Sequence, residues 1–230
     1  MVIPAPTEEN AAEPVAPTEI ERPVQLNDFV PGLRFREVMT GMITKGCTDP
    51  GEGYADPAAV AITLRATVTI ENLPTFLRDP NHRATWEAGG DIPVWDGRIT
   101  PAADGDFELF RRTIGPNRKA LRQMVYDTEI TVAGQTYLFQ GRKVIEPGPP
   151  WRVWPATTTL YVKIFERGSA SGQPVAAGIL RLSPMGFIRQ LTTMRIIGRF
   201  GFVDKLSYLG MFIKFFTGSL VRTYVFWRRW

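Results

Sequence analysis

The residues most capable of chemistry in this sequence are a glutamate and a lysine on the apolar faces of two alternating segments. In the alternating pattern, Glu37 falls on the same strand face as Phe35 and Met39, and Lys143 falls on the same face as Phe139. A charged group on an apolar face is costly unless it is paired or hydrogen-bonded. One interpretation is a ligand cavity in which Glu37 acts as acid or base, and Lys143 is its charge partner or binds a carbonyl. The other is a structural ion pair, or side chains at a barrel mouth that reach water.

Further candidates follow from the same alternation. If the interior holds a ligand, the side chains expected to bind it are Phe35, Met39, Tyr137, Phe139 and Thr159. Tyr161 is a third candidate catalytic group beside Glu37 and Lys143. The hydroxyls of Thr157, Thr158 and Thr159 equally fit a strand start, where they would bond backbone or neighbouring strands.

Several common chemistries are excluded by composition. Cys47 is the only cysteine and His82 the only histidine. A single cysteine excludes an intramolecular disulfide and fits a reducing, cytoplasmic compartment. One cysteine and one histidine are also too few to form a zinc site built from His and Cys. No G-x-S-x-G elbow, P-loop or strand–G-x-G-x-x-G–helix unit is present, so we expect no metal and no cofactor bound by this chain. His82, after Asp79-Pro80, is expected to be a capping or surface residue.

The elements that would position these residues are strands, because apolar and polar residues alternate with a period of two as far as Pro184. A tight turn at Ala133-Gly134 joins two of them, and residues 73–78 form a short helical turn after Asn72. About eight strands with one apolar face each predict a mainly β fold, an antiparallel barrel of lipocalin-like size. The alternative is a two-sheet β-sandwich. The predicted strands are residues 33–43, 58–70, 92–99, 106–114, 120–132, 135–145, 157–166 and 174–183.

Charge divides the chain into three regions. Residues 1–30 carry six acidic residues, one arginine and five prolines, which is typical of a disordered arm. Residues 31–183 form the predicted barrel. Residues 184–230 carry eight Lys or Arg and one Asp, with large apolar residues at helical spacing. We expect this tail to form one or two amphipathic helices that pack on the barrel or project from it.

A basic, aromatic amphipathic helix suits an anionic membrane surface. The residues expected to contact a membrane or a partner are Lys214, Arg222, Trp227, Arg228, Arg229 and Trp230. The chain would then be peripheral on the inner face of the membrane. The same apolar stripe would also serve a helix packed over the barrel. Nucleic acid is not an expected partner, because the basic residues are spread among large aliphatics and no binding motif is present.

Several segments in one order resemble the region that follows the flavin domain in large bacterial cholesterol-oxidase-like proteins of the glucose-methanol-choline oxidoreductase class. The resemblance covers roughly residues 33–226. It implies a role beside steroid or lipid oxidation, with FAD and the redox chemistry on a partner flavin oxidoreductase. The matching segments are Phe35-Arg-Glu37-Val-Met39-Thr-Gly41 and residues 71–82, 107–110, 141–145, 154–161, 177–181 and 190–195.

Three functions remain open at this point. The first is an accessory barrel that holds or presents a hydrophobic small molecule, a lipid or steroid, beside the oxidoreductase. The second is a small lipid-modifying isomerase, hydratase or lyase that uses Glu37 with Lys143 or Tyr161. The third is a purely structural domain with a filled barrel that docks a flavin enzyme. A continuous apolar cavity of several hundred Å³ would favour a ligand.

Overall fold

The computed structural model describes residues 29–115, 118–168 and 172–225. The predicted acidic arm, apart from Phe29 and Val30, lies outside the described residues. So do Trp227, Arg228, Arg229 and Trp230 of the predicted membrane contact.

Ten antiparallel strands form one sheet in the described part of the chain. Most alternate buried and exposed residues, as the period-two pattern requires. In chain order the strands are β1 (Gly32–Lys45), β2 (Val60–Ile70), β3 (Arg83–Ile92), β4 (Gly97–Pro101), β5 (Gly105–Ile114), β6 (Ala120–Val132), β7 (Gln135–Ile145), β8 (Thr159–Glu166), β9 (Ala176–Arg181) and β10 (Arg195–Ile197).

The sheet closes on itself as a barrel with eight strand positions. Strands β1, β2 and β3 pair in succession, and so do β6, β7, β8 and β9. Between β3 and β6, the strands β4 and β5 share one position, and each pairs with both neighbours. Closure comes from β1 and β9, with Ile43 opposite Gly178. A Cβ on Gly41 would stand 1.9 Å from the carbonyl oxygen of Ile179, so only glycine allows the two strands to approach so closely here. The predicted barrel is confirmed, and the sandwich alternative is not observed.

Five helices accompany the barrel in the described residues: α1 (Pro50–Ala55), α2 (Leu73–Arg78), α3 (Val153–Thr158), α4 (Pro184–Thr193) and α5 (Phe202–Tyr224). The residue before a helix supplies the side-chain cap in three of them. Asn72 Oδ1 accepts from the Thr75 amide at 2.9 Å, and Ser183 Oγ accepts from the Gly186 amide at 3.0 Å. Asp49 caps α1 in the same way. These caps satisfy amides that a helix start leaves without partners.

The helix α5 packs against one end of the barrel. Phe212 is buried and lies 6.4 Å, between ring centroids, from Phe35 of β1. Phe215 contacts the His82 ring at 4.6 Å, and His82 Nδ1 lies 2.8 Å from the Phe76 carbonyl oxygen. His82 therefore belongs to the contact between α2 and α5. The sequence prediction of a C-terminal helix is confirmed.

Three local features differ from the sequence prediction. The strand β3 covers residues 83–92, where no strand was predicted, and the predicted strand 92–99 is divided by a turn at residues 93–95. Thr157 and Thr158 end the helix α3, and only Thr159 begins a strand. The predicted helical tail contains β10, which pairs with β1.

Candidate functional site

Glu37 and Lys143 meet inside the barrel. Alternation along β1 points Glu37 inward between Phe35 and Met39, and alternation along β7 does the same for Lys143. Lys143 Nζ lies 2.9 Å from Glu37 Oε2, and the two side chains are 1% and 6% exposed. The structure therefore brings Glu37 and Lys143 together in the barrel interior.

Two further side chains complete the group around Glu37. The Tyr126 hydroxyl donates to Glu37 Oε2 at 3.1 Å, and Gln190 Nε2 donates to Glu37 Oε1 at 2.7 Å. The carboxylate thus accepts hydrogen bonds from three donors that come from β6, β7 and α4. We call Glu37, Lys143, Tyr126 and Gln190 the interior cluster. Charge-assisted bonds of this kind are stronger than neutral ones.

The electrostatics of the interior cluster keep Tyr126 neutral. Burial raises the pKa of the Tyr126 hydroxyl well above its ordinary value, and the negative charge and hydrogen bond of Glu37 raise it further. Tyr126 therefore acts as a hydrogen-bond donor. Lys143 Nζ also lies 5.2 Å from the centre of the Tyr126 ring, where the ring face attracts a cation.

Aromatic side chains enclose the interior cluster. The Tyr126 ring contacts Trp86 and Phe107 edge-on, at centroid distances of 5.4 and 5.0 Å, and Phe139 lies 5.8 Å from Trp86. Trp86 Nε1 donates to the Asp127 carbonyl at 3.1 Å, so its one polar atom is satisfied. A carboxylate, an ammonium and a phenol could together transfer a proton. Here their polar atoms are engaged with one another.

The predicted ligand-binding residues separate into two environments. Phe35, Met39 and Phe139 are buried in the hydrophobic core. Tyr137 is half-buried and stacks on Trp95 at 4.6 Å. None of these residues, and neither Glu37 nor Lys143, lines the surface clefts beside Leu121, Tyr161 and Phe107. A ligand that contacted Phe35, Met39 or Phe139 would have to displace core side chains.

Thr159 and Tyr161 lie elsewhere, in a surface cleft of about 280 Å³. Its other lining residues are Val144, Glu146, Arg152, Pro155, Ala156 and Tyr224. Burial raises the pKa of Tyr224 to about 12, with Arg152 opposing and Glu146 reinforcing the shift. In the described part of the chain, the buried Tyr224 hydroxyl has no hydrogen-bond partner. The structure thus brings Glu37 and Lys143 together but does not bring Tyr161 to them.

The C-terminal helices α4 and α5 carry a set of large apolar side chains that are 43% to 81% exposed. We call this set the helical surface. Lys214 is exposed next to Ile213, and Arg222 is exposed next to Val221. Between residues 184 and 225 the chain carries six Lys or Arg and one Asp. The helical surface comprises Met185, Ile188 and Leu191 of α4 and Phe202, Val203, Leu206, Ile213 and Val221 of α5.

Sequence reasoning missed two residues of the interior cluster, Tyr126 of β6 and Gln190 of α4. Gln190 stands in a helical region 153 positions from Glu37, where no alternation links the two residues. The only sequence signal for Gln190 is its place in residues 190–195, one of the segments that resemble the cholesterol-oxidase-like proteins. Thr193, in the same segment, accepts a hydrogen bond from the Arg36 amide at 3.0 Å.

Among the described residues, no group of three or more His, Cys, Asp or Glu is placed to hold a metal, and no helix has the length and apolar character to cross a membrane. No family model, curated protein or solved structure matches the chain. The similarity to cholesterol-oxidase-like proteins therefore stays a prediction from its motifs.

Proposed function

We propose that this chain is an accessory module that binds an anionic lipid surface through α4 and α5, beside a flavin oxidoreductase that acts on a lipid or steroid. The observation that supports it most is the helical surface. Large apolar side chains on two amphipathic helices stand in water, next to an excess of cations. Exposed apolar surface of this kind is typical of interaction sites, and basic amphipathic helices suit anionic headgroups.

The proposal assigns the redox step and the FAD to the partner, as the sequence resemblance implies. In it the module sits at the cytoplasmic side of the membrane and brings the hydrophobic substrate to the oxidoreductase. The barrel supplies a rigid base for the helices, because α5 is anchored by Phe212 over the barrel end. The module needs no catalytic group of its own.

A second candidate is a purely structural docking domain whose helical surface is covered by the oxidoreductase itself. The packing of the interior favours it, because Trp86, Phe107 and Phe139 are fully buried around the interior cluster. An eight-stranded barrel is about wide enough either to be filled by side chains or to hold one small ligand. The enzyme hypothesis is the least supported, since Glu37 and Lys143 are buried and bonded to each other.

Co-sedimentation of the full chain with lipid vesicles tests the proposal. We expect binding to phosphatidylglycerol vesicles, weakened by salt, and little binding to phosphatidylcholine vesicles. Leu206→Glu combined with Ile213→Glu should abolish binding, because both side chains are exposed apolar groups of α5. Lys214→Glu should weaken it roughly tenfold, since each cation near the surface contributes about 1 kcal/mol and reversal also adds repulsion.

Arg98→Glu is the matched control for Lys214→Glu. It makes the same charge change at an arginine whose side chain is 88% exposed on β4, away from α4 and α5. It should bind vesicles nearly as well as the unaltered chain. If the full chain ignores anionic vesicles, the lipid proposal fails and the docking candidate takes its place.

A further inference from the structure

The barrel wall is interrupted beside Glu37. One edge of β1 pairs with β2 from Leu33 to Ile43. The other edge pairs with β9 over residues 40–45 and with β10 over residues 32–34. No described strand pairs with residues 35–39 on that second edge. Glu37 stands in the middle of this opening, which we call the window.

The helix α4 covers the window. The chain leaves the wall at the end of β9, forms α4, and returns to the same edge of β1 as β10. Thr193 Oγ1 accepts a hydrogen bond from the Arg36 amide at 3.0 Å, and Gln190 reaches Glu37 through the window. These two side-chain bonds, together with Phe187 packed against the hydrophobic core, therefore hold α4 where strand pairing would otherwise close the wall.

The Gln190 amide is only half satisfied in this position. Its Nε2 donates to Glu37, but its Oε1 is buried and has no hydrogen-bond partner among the residues that the structure describes. A buried acceptor without a donor is destabilising. A hydroxyl group would supply Glu37 Oε1 with the same hydrogen bond and would bring no unpaired carbonyl with it. The bond to Glu37 is thus one that a hydroxyl-bearing molecule can replace favourably.

The outer side of α4 is also unusual for a surface helix. Met185, Ile188 and Leu191 are 67%, 55% and 44% exposed, whereas the polar Gln190 is buried against the barrel. Surface helices ordinarily bury the apolar side and expose the polar one. A lipid surface would attract the exposed apolar side chains and so compete with the contacts that hold α4 on the barrel.

We propose that α4 is a lid over the window, that a lipid surface lifts it, and that Glu37 then accepts a hydrogen bond from the hydroxyl of a membrane amphiphile in place of Gln190. This inference rests on the proposed lipid binding. The apolar part of the amphiphile would occupy the space that α4 leaves, between the exposed edge of β1 and the lipid. Lys143 and Tyr126 would hold the carboxylate in place throughout.

The Arg36 amide reports the position of α4, because its hydrogen bond goes to Thr193 of that helix. We would measure its hydrogen exchange by NMR in the full chain, with and without phosphatidylglycerol vesicles. Vesicles should accelerate exchange at Arg36 at least about tenfold and leave amides of the β6–β7 ladder unchanged. Binding to vesicles with unchanged exchange at Arg36 overturns the lid but not the proposed function. Absence of binding overturns both.

A second measurement tests the hydroxyl. Vesicles containing a minor fraction of dodecanol should accelerate Arg36 exchange more than vesicles containing dodecyl methyl ether, which cannot donate a hydrogen bond. Glu37→Leu should abolish the difference between the two additives, and Gln190→Ala, which keeps the acceptor, should preserve it. If Glu37→Leu fails to fold, the alcohol–ether difference in Gln190→Ala still decides the matter. Equal effects of the two additives there would refute a hydroxyl at Glu37.

Discussion

Replacing Glu37 by alanine should be among the most destabilising single changes in the barrel. It removes the acceptor of three hydrogen bonds and leaves the Lys143 ammonium, whose side chain is 1% exposed, without a counter-ion. Breaking a buried ion pair from one side costs about 3–5 kcal/mol. In a protein of this size about 1 kcal/mol shifts the melting temperature by roughly 2–4 °C, so we expect a decrease of about 6–20 °C.

The assay is urea denaturation followed by circular dichroism, with the midpoint and the slope fitted separately. Glu37→Gln keeps a hydrogen-bonding side chain and should lose less stability than Glu37→Ala. Glu37→Leu combined with Lys143→Met should be more stable than the sum of the single changes predicts, by at least about 2 kcal/mol, because no charge is then left unpaired. Arg65→Ala is the control: its ion pair with Asp91 is exposed, and its loss should cost at most about 1 kcal/mol.

Two results would refute this reasoning. A negligible effect of both Glu37→Ala and Glu37→Gln would mean that the carboxylate is hydrated in solution. Strict additivity of the Glu37→Leu and Lys143→Met costs would mean that the two groups do not interact energetically.

Three further predictions test the barrel and its helices. Gly41→Ala should prevent the close contact of β1 with Ile179 and unfold the barrel at lower urea, whereas Gly218→Ala in α5, where nothing lies within 4 Å, should raise stability by up to about 1 kcal/mol; equal midpoints would contradict this closure. Burial raises the pKa of Tyr224 to about 12 from an unfolded value of 10.0, so its stabilising contribution should be complete below about pH 10 and lost as pH rises through about 12. Tyr224→Phe should flatten that alkaline loss in thermal melts, and an unchanged pH profile would argue against a buried hydroxyl. Phe212→Ala should cost about 3–5 kcal/mol in urea unfolding, and a cost below about 1 kcal/mol would show that α5 does not pack on the barrel.

The sequence predicted the barrel because its β-branched residues alternate cleanly, most of all in β2, and strand alternation fixes which side chains turn inward. The same alternation placed Glu37 and Lys143 in one interior. It could not reveal Gln190, since a contact across 153 positions depends on where the chain returns to β1. An alternating pattern shows which residues of one strand share a face. It does not show which distant segments meet when the sheet closes.

The local differences have physical causes as well. The strand β3 contains Gly89 and Gly90, residues that are depleted in strands and weaken the pattern. Thr158 lies at the end of a helix because its hydroxyl donates to the Trp154 carbonyl at 2.6 Å, a bond from residue i to residue i−4. The intrinsic β-propensity of threonine favours a strand for residues 157–159. The hydrogen bond from Thr158 to Trp154 accompanies a helical conformation instead.

The pairing of β1 with β9 has a consequence for how the chain folds. The wall closes only when β1 pairs with β9, which places Ile43 opposite Gly178. The first strand of the sequence therefore cannot complete its pairing until one of the last strands is present. Pairings between residues so distant in sequence are slow, because the entropy of closing the intervening chain is lost before the contacts form. During synthesis the open edge of β1 is therefore exposed until β9, α4 and β10 have all emerged from the ribosome. We expect nascent chains truncated before residue 176 to aggregate through that edge, and chaperones that protect unpaired strands to matter most in this interval.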